Sequence, residues 1–270
     1  MRFFRKKVGF LIIGAQKSGT TAAFDYLKKN TFLNPSKEKE VHFFNSELDC
    51  KHDINYYHTF FDLKKTGILF EGSAGYLVNE FAHEKIFKYN SKIKMLALLR
   101  NPIDRAYSCW NMYRTYYTSN HEWFKNWMLK VAPVKYLQYK KRELKLINSF
   151  YDYVIEEINA INNGDLIEGS ILVHGYYAQQ LKKYYTCFSR EQILLIESSE
   201  FKQNTKKCLN SIEDFLNIPR HNWDMETLSP IFTGSYKNGL DERSRKYLLN
   251  YYNPYNEELY LLLNKKFNWT

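Results

Sequence analysis

The stretch Phe10-Leu-Ile-Ile13 runs without a break into Gly14-Ala-Gln-Lys17-Ser18-Gly19-Thr20-Thr21, and no other part of the chain restricts the fold so strongly. A short apolar run that stops at a glycine reads as a buried strand. Residues 20–29 read as the helix that follows it, with Ala22, Ala23, Tyr26 and Leu27 on one packing face. A helix that begins directly after a strand presents its unpaired backbone N–H groups and the positive end of its dipole to whatever lies in the turn. A glycine-containing turn in that place suits phosphate oxygens, and Lys17 with the hydroxyls of Ser18, Thr20 and Thr21 adds donors. The order is not that of a Walker A loop, in which the lysine follows the second glycine, because Lys17 precedes Gly19.

The same N-terminal residues admit a second reading. Arg2, Arg5, Lys6 and Lys7 ahead of the apolar residues 8–15 fit the charged and hydrophobic regions of a secretory signal, ending in small residues. The two readings exclude each other, since cleavage after Ala15 would remove the strand that positions Lys17. The rest of the chain favours the strand. Further strand-like runs occupy residues 95–99 and 193–196, with a shorter one at 68–71, and Pro102 stands at a helix start, where its missing N–H costs nothing. Strands alternating with helices predict an α/β fold with a mainly parallel central sheet flanked by helices, in which ligands bind beyond the carboxyl ends of the strands. Residues 149–162 and 175–188 read as amphipathic helices, the second packing through Tyr177, Leu181 and Tyr184 or Tyr185. Residues 241–267 read as helical except where Pro254 restarts the helix. Residues 111–149, dense in Tyr, Trp and Lys, read as helical and as lying on or covering the site.

Charge narrows the partners. Lys and Arg exceed Asp and Glu by 39 to 29 in a chain of 270 residues, so the surface should attract nucleotides, sulfated or phosphorylated substrates, nucleic acid or anionic lipid. Cys50, Cys109, Cys187 and Cys208 are widely spaced and form no metal-ligand pattern, which indicates reduced thiols and no metal site. No apolar run approaches the roughly 20 residues that span a bilayer.

Lys17-Ser-Gly-Thr-Thr21 after a buried strand resembles the 5′-phosphosulfate loop of the sulfotransferases that use 3′-phosphoadenosine 5′-phosphosulfate (PAPS). The family has a second signature, a strand ending in Arg, a Pro turn and a Ser on the next helix, which together hold the 3′-phosphate. Met95-Leu-Ala-Leu-Leu-Arg100-Asn-Pro-Ile-Asp-Arg-Ala-Tyr-Ser108 is similar to it. Arg100 offers the planar fork that suits phosphate, and Ser108 a hydroxyl. The resemblance covers most of the chain and leans to the heparan-sulfate and carbohydrate branch, because Glu40-Val-His42-Phe-Phe looks like that branch's Glu-x-His-Phe-Phe segment. It implies a P-loop-like sulfotransferase fold in one domain over residues 1–270, with 111–149 as an acceptor-binding or lid segment.

The resemblance also implies roles. Glu40 is the catalytic base, with Glu38 its decoy in the run Lys37-Glu-Lys-Glu40. Lys17 neutralises charge on the leaving phosphate, and His42 orients Glu40, contacts the acceptor, acts as base itself or is structural. Tyr176, after Gly175, is the candidate to approach the nucleotide, and Thr233, Gly234 and Ser235 to close over its 3′-phosphate, with Lys237 nearby. The expected reaction moves a sulfuryl group from PAPS to a hydroxyl, less readily an amine, of a carbohydrate or small molecule and yields 3′,5′-adenosine bisphosphate (PAP) without a metal. The rivals are a kinase-like phosphoryl transferase, which should show Walker A order and a magnesium-binding Asp where the strand instead ends in Arg100, and a basic nucleic-acid binder, for which no motif is present. A cytoplasmic enzyme with neither nucleic acid nor a membrane-spanning segment is the expectation.

Overall fold

The computed structural model describes residues 6–46, 53–224 and 239–269. Five strands, β1 (Phe10–Gly14), β2 (Leu33–Pro35), β3 (Ile68–Gly72), β4 (Lys94–Leu99) and β5 (Ile193–Glu197), form one sheet in the order β2-β3-β1-β4-β5. Every pairing is parallel: Phe10 lies opposite Phe70 on one side and Lys94 on the other, Leu33 opposite Ile68, and Met95 opposite Ile193. The interleaved helices are α1 (Thr20–Leu27), α2 (Ile54–His58), α3 (Ala82–Tyr89), α4 (Pro102–Ser119), α5 (His121–Val131), α6 (Pro133–Gln138), α7 (Leu144–Asn148), α8 (Phe150–Asn163), α9 (Tyr177–Tyr185), α10 (Ser198–Gln203), α11 (Thr205–Leu216) and α12 (Glu242–Leu263). This is the expected α/β architecture with its parallel sheet. The chain divides into two compact units, one from Met1–Asn45, Asp49–Arg100 and Leu181–Thr233, the other from Ser46–Leu48, Asn101–Gln180 and Gly234–Thr270.

The first unit carries the sheet. Strand β1 sits at its centre and is buried along its whole length, as a strand covered on both faces must be. Phe10 and Ile12 join Phe70, Leu96, Leu98 and Ile196 on one face. Ala23, Phe24 and Leu27 of α1 and Leu209, Ile212 and Leu216 of α11 cover that face. The apolar residues after Lys7 are therefore the middle of the core, which removes the reading of residues 8–15 as a detachable signal. Strand β2 carries no periodic signal because it is only three residues long and ends in Pro35. A proline is tolerated there because β2 is an edge strand.

The second unit is helical. Ile103, Ala106, Tyr107 and Trp110 of α4 pack with Phe150, Tyr153 and Val154 of α8 and Leu248 and Tyr252 of α12. Its buried ion pair joins Arg142 to Glu157 at 3.3 Å, and Glu157 also accepts from the Ile171 and Leu172 N–H groups. Helix α12 differs from expectation. It runs through Pro254 without restarting, because Tyr251, Tyr252 and Tyr255 around the proline are locked into an aromatic cluster with Tyr176, and packing of this kind overrides the local cost of an interior proline. Among the described residues, no helix is long and apolar enough to cross a membrane.

Candidate active site

From β1 the chain builds β2 and β3 on one side and then crosses to β4 and β5 on the other, so the strand order reverses between β1 and β4, the place where a crevice opens beyond the carboxyl ends of the strands. The turn from Gly14 to Gly19 sits there. Ala15 N–H donates to the Leu98 carbonyl at 2.9 Å, tying the turn to β4, and Ser18 N–H donates to Ala15 at 3.2 Å, tightening it. Gly14 is required because the chain from β3 passes against it: an added Cβ would lie 2.7 Å from the Leu77 Cβ. Gly19, with φ +98°, caps α1 in the left-handed region. Thr20 and Thr21 open that helix, whose first N–H groups have no acceptor within it. Ser18 is fully buried, and its Oγ has no hydrogen-bond partner among the described residues. A buried hydroxyl without a partner is costly, and here it lies in a turn bounded by Lys17 and a helix N-terminus. These residues fit a phosphate or sulfate group.

Arg100 follows β4, and its Nη1 donates to the Lys17 carbonyl at 2.9 Å, so the two halves of the sequence signature meet within the first unit. Ser108 lies in the second unit, buried on α4 among its core residues. Tyr176, also in that unit, stacks on Tyr255 with ring centroids 3.9 Å apart and pairs its hydroxyl with Tyr251. Tyr176 is itself buried, with Tyr251 and Tyr252 also packed against its ring. Thr233, Gly234 and Ser235 lie outside the described residues, as does Lys237.

Glu40 stands beside the carboxyl end of β3, with its N–H donating to the Gly72 carbonyl at 2.9 Å. Its Oε2 accepts from Ala74 N–H at 2.9 Å, its Oε1 pairs with Lys39, and His42 Nε2 lies 3.6 Å from Oε2. The carboxylate remains 34% exposed, so a substrate proton can reach it. Glu38, the decoy, is exposed. His42 is buried, with Nδ1 3.2 Å from Asn45 Oδ1 and its backbone N–H donating to Ser73 Oγ at 3.0 Å. Phe44 is core, and Phe43 stacks on Tyr57 at 4.6 Å.

Backbone conformation singles out the same residues. Among the described non-glycine residues, positive φ occurs at Lys17 (68°), Glu40 (62°) and His42 (60°), and otherwise only at Asn217 and Asn264, which cap helix C-termini. Left-handed backbone is an ordinary C-cap feature for asparagine. For Lys, Glu and His it costs of order 1 kcal/mol or more each, and such strain concentrates at functional sites.

Sequence reasoning missed the support beneath Glu40. Glu71 is fully buried on β3, where Oε1 accepts from the hydroxyls of Tyr57 at 3.0 Å and Tyr76 at 2.5 Å and Oε2 from Ser73 Oγ at 2.8 Å. Burial pushes the Glu71 carboxyl up to about 7, Glu40 adds a smaller push in the same direction, and the three donated bonds oppose it. The available signal was a lone carboxylate near the end of an otherwise apolar strand.

The chain is 27% identical over 284 residues to human bifunctional heparan sulfate N-deacetylase/N-sulfotransferase 3, covering 95% of this chain and 30% of that protein. It is 30% identical over 217 residues to the human enzyme numbered 2 of the same name, covering 77% of this chain and 22% of that protein. It therefore spans less than a third of the length of these relatives. The solved sulfotransferase from Alicyclobacillus acidocaldarius shares the fold, with a TM-score of 0.70 and 22% identity over 97% of each chain. The family model described as the sulfotransferase domain matches residues 8–248, and the chain belongs to that family.

Proposed function

We propose that the protein transfers a sulfuryl group from PAPS to a hydroxyl or amine of a carbohydrate acceptor, with Glu40 as general base. The observation that carries the reading is the pairing of two strained elements at the carboxyl edge of one sheet: the Lys17 turn after β1, with the unpartnered Ser18 hydroxyl, and the Glu40–His42 turn held against the end of β3. When bound, PAPS supplies the sulfuryl group, whose bond to the 5′-phosphate oxygen breaks as the acceptor oxygen or nitrogen bonds to sulfur. The chain's own residues do the rest. Lys17, Ser18 Oγ and the N–H groups of Gly19, Thr20 and Thr21 hold the phosphate end and balance the charge left on it. Arg100 and Ser108 are assigned to the 3′-phosphate, with Thr233, Gly234 and Ser235 closing over it and Tyr176 nearest the base.

Glu40 takes the acceptor proton on a carboxylate oxygen. Each oxygen offers two lone-pair positions, so the bonds from Lys39 and Ala74 N–H orient the group without saturating it. His42, beside Oε2, steadies the carboxylate as it gains the proton. The Tyr- and Trp-rich residues 111–149 provide rings and cations suited to sugar faces and their anionic substituents. A cytoplasmic site of action accompanies this reading.

The test is a panel of acceptors incubated with sulfur-labelled PAPS: de-N-sulfated heparin, its fully N-acetylated counterpart, neutral oligosaccharides and simple phenols. Label on a glycan, lost in Glu40→Gln by roughly 100-fold or more with PAP affinity retained, is the expected result. Label on phenols alone would refute the carbohydrate assignment, and an active Glu40→Gln would move the base elsewhere.

A further inference from the structure

Strand β3 carries a carboxylate at its penultimate position, where an apolar residue would fill the same space. Glu71 lies opposite Leu11 of the central strand and is fully buried. Withdrawing an ionisable group from water is costly unless hydrogen bonds compensate it. Here three hydroxyls converge on it, from Tyr57, Tyr76 and Ser73. Tyr57 and Tyr76 are core residues, and the Tyr76 oxygen also accepts the Phe44 N–H at 3.4 Å. Ser73 reaches the turn itself, because its oxygen accepts the His42 N–H at 3.0 Å.

We propose that Glu71 is a positioning residue that acts through Ser73 to hold the strained Glu40–His42 turn in its working conformation. The inference rests on the reading of Glu40 as base. A serine hydroxyl has one proton and two lone pairs. With its proton committed to Glu71 Oε2, Ser73 can present only lone pairs to His42, and linked hydrogen bonds of this kind strengthen one another. His42 and Glu40 both hold left-handed backbone, so the turn relaxes unless something restrains it. Three bonds do so: Glu40 N–H to Gly72, His42 N–H to Ser73 Oγ, and Ala74 N–H to Glu40 Oε2. All three come from the segment that Glu71 anchors. Its other neighbours, Tyr57 and Tyr76, are uncharged, and the adjacent Glu40 carboxylate adds repulsion that the same donors offset.

Two measurements test this, one of them independent of any acceptor. Amide hydrogen exchange of the His42 N–H should accelerate at least tenfold in Ser73→Ala and in Glu71→Gln, while Phe10 to Ile13 of β1 stay protected; Ser73→Thr, which keeps the hydroxyl, should restore protection. Unchanged His42 exchange in both Ser73→Ala and Glu71→Gln overturns the proposal. With de-N-sulfated heparin and labelled PAPS, the two variants should lower kcat about tenfold and leave PAP affinity within twofold of the parent. Combined with Glu40→Gln, Ser73→Ala should add less than a twofold loss, because residues acting through one group are not additive. Multiplying losses would mean that Ser73 acts independently of Glu40. An active Glu40→Gln would remove the base assignment, yet the exchange result would still decide whether Glu71 holds the turn.

Discussion

Arg100 donates through Nη1 to the carbonyl oxygen of Lys17 at 2.9 Å, across the gap between the carboxyl ends of β4 and β1. The two residues are 83 positions apart in the sequence, and the adjacency of β1 and β4 in the sheet brings them together. Arg100 therefore has a structural duty in addition to any ligand contact. It fixes the peptide of a residue whose φ of 68° is otherwise unfavourable.

The observed bond to Lys17 and the proposed contact with a phosphate both need the guanidinium. A charge-assisted bond contributes about 1.5–3 kcal/mol, or roughly 10- to 100-fold in affinity. Arg100→Ala should weaken PAP binding by at least about tenfold, measured by titration calorimetry. Arg100→Lys should recover little, because an ammonium cannot serve the Lys17 carbonyl and a phosphate in one plane. Parent-like affinity in Arg100→Lys would mean that only charge matters at this position.

Ser18 separates binding from stability. Its buried Oγ has no protein partner among the described residues, so Ser18→Ala removes an uncompensated polar atom and should leave the melting temperature unchanged or raise it, by the equivalent of up to about 1 kcal/mol. If the hydroxyl serves the proposed phosphate site, the same change should weaken PAP several-fold. A destabilised Ser18→Ala protein with unaltered PAP affinity would show the hydroxyl to be structural.

How much of this could be read from residues alone depends on the range of the interactions. The Lys17 turn was legible because strand, turn and helix are contiguous and each has its own signal. Arg100 was legible because it ends an apolar run before a proline. Strand β2 was not, since three residues carry no period. The continuity of α12 through Pro254 was not, since it depends on Tyr176, far away in sequence. The left-handed backbone at Lys17, Glu40 and His42 was illegible for a different reason: none of these residue types favours it, so only the surrounding hydrogen bonds explain it. Glu71 and Ser73 belong to the same class, because their meaning lies in what they touch.

Gly14 couples the two turns. Its absent side chain lets the 73–77 segment pass against the end of β1, with Ser73 N–H bonded to Ile12 and Leu77 N–H to Ile13. A methyl group there would meet Leu77 Cβ at 2.7 Å and the Ala74 carbonyl at 3.2 Å. Gly14→Ala should therefore cost about 1–3 kcal/mol of stability in denaturant unfolding. It should also lower transfer more than it lowers PAP binding, since Ala74, whose N–H holds Glu40, is among the displaced groups. A fall in PAP affinity alone would place the disturbance in the Lys17 turn instead.

The Glu71 carboxyl should leave its mark on stability as a function of pH. Burial lifts it to about 7 from an ordinary value of 4.5, so between these limits the folded protein holds a proton that the unfolded chain has released. The folded state then binds more protons, and stability falls as pH rises through the window, by roughly 3 kcal/mol in total, before levelling off above it. Other groups titrate as well, so the quantity to measure is the difference between the parent and Glu71→Gln in urea unfolding at pH 5, 6, 7 and 8. The parent should lose stability relative to the variant over that range, mostly between pH 5 and 7. A difference that is flat with pH would mean that the three hydroxyl donors outweigh burial and keep the carboxylate ionised throughout.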